Sequence, residues 1–178
     1  MKKKKNPIIW LVIFLACLMI LAIIYRSIFS MDKAIAFEVN DKSLETRLLI
    51  ATQGSDFKNE LVDRLVDSLR SHPVYIEVRD IDILPEIQVL DWSGIVVIHT
   101  WEYAKPPKEV SNFALQNDSL TNVIFFATSG GGSYAIEGID AISGASNPDK
   151  TDGYLNQILD RIRPLILSDS VSQSPIIY

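Results

Sequence analysis

The chain has 178 residues, room for one domain and an anchor rather than for two domains. All 22 Asp and Glu residues lie after Ser30, together with 12 of the 17 Lys and Arg, so that part carries a net charge of −10. Such a balance argues against nucleic acid as a partner, which requires a basic face, and against adhesion to anionic lipid. The one cysteine, Cys17, lies before Ser30 and leaves the acidic part with no disulfide framework and no Cys-based metal or redox site.

Residues 1–29 read as a Lys cluster followed by a membrane-spanning helix. Ile8 to Tyr25 (IIWLVIFLACLMILAIIY) contains no charge. Its eighteen residues make a helix about 27 Å long, close to the hydrocarbon thickness of a bilayer. Lys2, Lys3, Lys4 and Lys5 precede the run, whereas only Arg26 and Lys33 follow closely. The positive-inside rule then puts the N-terminus in the cytoplasm and the acidic part on the far side, in the periplasm or at the cell surface of a bacterium. A cleaved signal peptide has a shorter apolar region and a small-x-small cleavage site. A lipoprotein reading of Cys17 meets Phe14 where leucine is usual, and a further apolar run after the cysteine. The partner implied by this segment is the membrane itself, crossed once.

Residues 30–46 are weakly patterned and read as a juxtamembrane linker with a short strand near Ala34–Val39. From Arg47 the pattern alternates. Leu48–Thr52 is a solid apolar run, as expected of a strand buried on both faces. It is followed by a helical face of Phe57, Leu61, Val62, Leu65, Val66 and Leu69, with Ser55 or Asp56 as cap. Val74–Val78 is a second strand, and Ile81–Trp92 a connection too irregular for a long helix. Gly94–Thr100 and Val123–Thr128 are further buried strands, separated by a helix over Pro107–Leu115. A short fifth strand over Gly138–Ser143 and an amphipathic helix over Gly153–Leu167 complete the domain, 47–167, before a tail, 168–178.

Strands that alternate with helices predict an α/β domain whose parallel sheet is covered on both faces. In such sheets ligands lie beyond the carboxyl ends of the strands. Three unusual loops fall there: Thr52-Gln53-Gly54-Ser55, Trp101 and Tyr103 with Pro106 and Pro107 behind them, and Ser129-Gly130-Gly131. In these loops the chain resembles the flavodoxin-like family, over about two-thirds of its length, from Arg47 to Ile166. The resemblance implies a three-layer fold with a five-stranded parallel sheet in the order 2-1-3-4-5. It also implies FMN. The first loop would hold the phosphate at a helix N-terminus, Trp101 and Tyr103 would stack on the ring, and the third loop would follow its edge. Asp56 and Gln53 depart from the family's hydroxyl residues, and a carboxylate repels a phosphate dianion.

The segment from Asp140 to Ser146 (DAISGAS) resembles the motif of domains that carry FMN covalently, which would make Ser146 the attachment residue. The favoured reading of the segment is instead a fifth strand ending in a small-residue turn, because a motif match without its structural context is weak. Other chemistries find little support. His72 and His99 are the two histidines, no G-x-S-x-G elbow is present, and no P-loop or G-x-G-x-x-G occurs, so no catalytic residue and no metal site is assigned. Two functions from different classes remain open. One is an FMN domain passing electrons to a redox partner near the membrane. The other is a cofactor-free binding or assembly module beside a membrane protein.

Overall fold

The structure is a computed structural model describing residues 7–29, 31–117, 121–132 and 139–167. It divides into two units, residues 1–30 and 31–178. The first contains helix α1, Pro7–Phe29, whose described side chains are exposed apolar groups, Cys17 among them. It is long and apolar enough to cross a membrane, a property that signal sequences share.

The second unit is an α/β domain built on a mostly parallel sheet, compatible with a flavodoxin-like fold. Its strands are β1 (Asp32–Lys33), β2 (Phe37–Val39), β3 (Arg47–Gly54), β4 (Tyr75–Asp80), β5 (Gly94–Thr100), β6 (Val123–Thr128) and β7 (Ala141–Gly144). They run in the order β2-β4-β3-β5-β6-β7, with β1 paired to β3. The sheet therefore has seven strands and not the expected five. The five from β3 to β7 pair parallel with one another, whereas β1 and β2 add antiparallel to β3 and β4. Both extra strands come from residues read as linker, β2 within the short strand expected near Ala34–Val39 and β1 unforeseen. At two and three residues (DK and FEV) they are too short to stand alone and exist only by pairing with a longer neighbour.

Strand alternation builds two cores. Leu48 and Ile50 of β3, Val96 and Ile98 of β5, and Phe126 of β6 face helices α2 (Asp56–Leu69) and α4 (Thr151–Ile166). Leu49, Ala51, Ile95, Val97 and Phe125 face the other way, toward α3 (Lys108–Gln116) and the segment between β4 and β5. That segment is two 3-10 helices, Ile81–Glu86 and Val89–Asp91, the first containing Pro85. Their Ile81, Leu84 and Val89, with Trp92, fill the space that a second long helix would occupy. Arg47 stacks over the Trp92 ring at 4.8 Å. Pro107 caps α3 rather than opening it, and the last helix starts two residues before Gly153.

Candidate functional site

Apolar strands should end in solvated polar loops, yet here polar groups are buried where the strands end. Among the described residues the buried polar side chains are Thr52, Gln53, Lys58, His99, Thr128, Ser129 and Thr151. Thr52 and Gln53 lie near the end of β3, His99 near the end of β5, Thr128 and Ser129 at the end of β6, and Lys58 in the first turn of α2. A buried polar atom needs a partner or a reason, so this edge is the candidate site.

Hydrogen bonds bring the three loops together. Gln53 Oε1 accepts from the Thr100 amide at 2.7 Å, and its Nε2 donates to Glu102 at 2.8 Å. Thr100 and Thr128 share a hydroxyl hydrogen bond of 2.7 Å, and the Trp101 amide donates to the Thr128 carbonyl. The Ser129 amide donates to the Gly144 carbonyl, whereas its Oγ is buried without a partner. Trp101 is half-buried. Tyr103 is exposed at the tip of a two-residue turn closed by reciprocal bonds between Glu102 and Lys105. Both central residues, Tyr103 and Ala104, have positive φ (52° and 57°), the conformation of a type I′ turn without the Asn-Gly that usually relieves it. Gly130 and Gly131 are exposed.

The first loop is not an open turn. Gln53 and Gly54 continue β3 and pair with Lys33 and Asp32 of β1. A Cβ at Gly54 would lie 2.6 Å from the Lys33 carbonyl oxygen, so the glycine is needed for the approach of β1. Ser55 caps α2, its Oγ accepting from the Lys58 amide at 3.3 Å. Asp56 opens the helix as an exposed first-turn carboxylate, favourable to the helix dipole.

Lys58 is the residue that the sequence reading missed. It is 1% exposed, and among the described residues its ammonium reaches only Met31 Sδ at 3.2 Å and Ser55 Oγ at 3.4 Å. Burial lowers its pKa to about 8, an effect that the Glu102 charge partly offsets. The signal was present: Lys58 precedes Leu61 by three residues and Val62 by four, on the face read as buried. His99 is fully buried, and neither ring nitrogen makes a well-formed hydrogen bond. Burial holds its pKa down to about 4, and the Lys58 charge adds to this.

Among the hollows of the domain, two bear on the predicted sites. One of about 490 Å³ lies beside the polar edge, lined by Asp32, Asp80, Asp82, Glu102 and Glu109 with Lys33 and Lys108. The other, about 520 Å³, sits by the start of β6 and the C-terminal half of α4, among Val123, Asp140, Asp160 and Arg161, away from the buried polar groups. The DAISGAS segment is β7 and the turn after it. A Cβ on Gly144 would meet the Tyr154 ring at 2.4 Å, Asp140 pairs with Arg161, and Ser146 is exposed. No cluster of metal-ligating side chains occurs among the described residues. Comparison of the sequence with models of known families and with curated proteins returns no match.

Proposed function

We propose that the protein is a single-pass membrane protein whose flavodoxin-like domain is a binding module beside a membrane partner, with no flavin of its own. The observation that carries this reading is the pairing of β1 onto Gln53 and Gly54. Where a flavin phosphate would need open amides, this chain has a strand, a capped helix and the Asp56 carboxylate. Gly54, Gln53 and Ser55 each have a structural duty that explains the residue without a ligand. The residues of the first loop, so arranged, do not fit a phosphate dianion. The surplus of ten negative charges after Ser30 suits a basic partner, and the Lys2–Lys5 cluster puts the N-terminus in the cytoplasm and the domain outside.

The absorbance spectrum of the detergent-extracted protein, followed by titration with FMN, tests this. The expected result is no flavin band and no quenching of added FMN. A flavin band in the purified protein overturns the reading in favour of electron transfer. Flavin that survives denaturation and is lost in Ser146→Ala overturns it in favour of covalent attachment. Orientation is checked separately by adding protease to cells whose outer membrane, where present, has been opened. Degradation of the domain is expected, and full protection refutes the outward placement.

A further inference from the structure

The two-residue strand β1 begins beside a buried ammonium, that of Lys58. Burial of an ammonium without a carboxylate contact is unfavourable, and Lys58 has only a thioether and a hydroxyl within hydrogen-bond reach, with no ion pair among the described residues. The thioether belongs to Met31, the residue before β1. What holds β1 down is modest by comparison. Lys33 pairs with Asp82 at 2.6 Å, but both side chains are largely exposed. The Ala34 amide donates to Asp80 Oδ2 at 2.8 Å. Two residue pairs join β1 to β3.

The pairing is also separable from the rest of the sheet. β3 pairs with β4 and β5 only as far as Thr52, and β1 pairs only with Gln53 and Gly54 beyond it. Lifting β1 therefore leaves every parallel pairing intact. In the chain, a single residue separates the apolar helix α1 from Met31.

We propose that β1 is a strap: it closes over Lys58 and the Gln53–Gly54 edge and opens to expose both at the contact surface of the domain. The closed strap is an autoinhibitory contact, and the covered ammonium keeps closure close to balance. The inference rests on the reading of the carboxyl edge as the contact surface, but its test needs neither partner nor flavin.

Hydrogen exchange of the full-length protein in detergent reads the strap directly. The amides of Lys33, Ala34 and Gly54 should exchange at least about a hundredfold faster than that of Ile50, because they open locally rather than with the whole domain. Lys58→Met removes the buried charge and should slow the strap amides about tenfold or more. Asp82→Ala should speed them and raise the rate at which acetic anhydride modifies Lys58. Strap amides that exchange at the Ile50 rate in the wild type overturn the proposal. So does a folded Lys58→Met protein with unchanged strap exchange, or a Lys58 equally protected in the wild type and in Asp82→Ala. If flavin is found bound while the strap behaves as expected, the binding-module reading fails and the strap stands.

Discussion

Strand β3 contains two kinds of interior in eight residues. From Leu48 to Ala51 it is wholly buried and apolar, beside the buried apolar run of β5 on one side and, on β4, Ile76 and Val78 alternating with the half-buried Glu77 and Arg79. From Thr52 to Gly54 it is as well buried but polar, and its surroundings include an ammonium held by a thioether and a histidine without good hydrogen bonds. The first half is explained by stability alone. The second is costly for stability, and costs of this kind collect where a protein binds or switches.

The largest effect expected of that comparison is in the apolar half. Ile50 is fully buried between α2, α4 and the neighbouring strands. Ile50→Ala should cost about 3–4 kcal/mol, as lost transfer energy plus a cavity. In a domain of this size that is a fall in Tm of about 10 °C. A loss below about 1 kcal/mol in denaturant unfolding would mean that this half of β3 is not the rigid centre described here.

The polar half should respond with the opposite sign. Lys58→Met removes a charge whose pKa falls from 10.5 to about 8 by burial. Below about pH 8 the lysine is charged in both folded and unfolded chains, so its burial penalty is fully felt. Between about pH 8 and 10.5 the folded protein loses the proton first, and the penalty fades. At pH 7 the variant should therefore be more stable than the wild type by about 2–3 kcal/mol. The gap should close as the pH rises toward 10.5. A destabilised Lys58→Met protein would show that the ammonium is better satisfied than its contacts indicate.

The two halves also differ in how far they are legible. Solid apolar runs announce β3, β5 and β6, because a strand buried on both faces has no polar positions to hide it. The helical face from Phe57 to Leu69 is equally plain. β1 is not, since its reason for being a strand lies in β3, twenty or more residues away in the chain, whereas β2 falls within the short strand expected near Ala34–Val39 but its antiparallel pairing with β4 does not follow from that expectation. The site inherits the same limit. That the loops after the parallel strands meet at one edge follows from α/β topology. That Gly54 serves β1, that Gln53 links Thr100 to Glu102, and that Lys58 lies beneath Met31 depend on contacts between segments, which no local pattern records.

The smallest effect concerns His99, which separates the two halves of β5 as Thr52 does those of β3. Its sequence position, at the end of an apolar strand, predicts a core or hydrogen-bonded histidine, and the structure buries it completely. Burial lowers its pKa from 6.5 to about 4, so the folded protein keeps it neutral where an unfolded chain takes up a proton. The sign follows from proton counts. Above about pH 6.5 neither state is protonated and stability is unaffected. As the pH falls from about 6.5 toward 4 the unfolded state binds the extra proton and gains free energy. Between pH 7 and 5 the domain should lose about 2 kcal/mol from this residue alone. The acidic side chains titrate in the same experiment, so the measurement is a difference: urea unfolding of wild type and His99→Leu at both pH values. The wild type should lose about 2 kcal/mol more than the variant. Equal losses would mean that the imidazole has a partner able to hold its proton, and the buried edge would then be better satisfied than β3's polar half suggests.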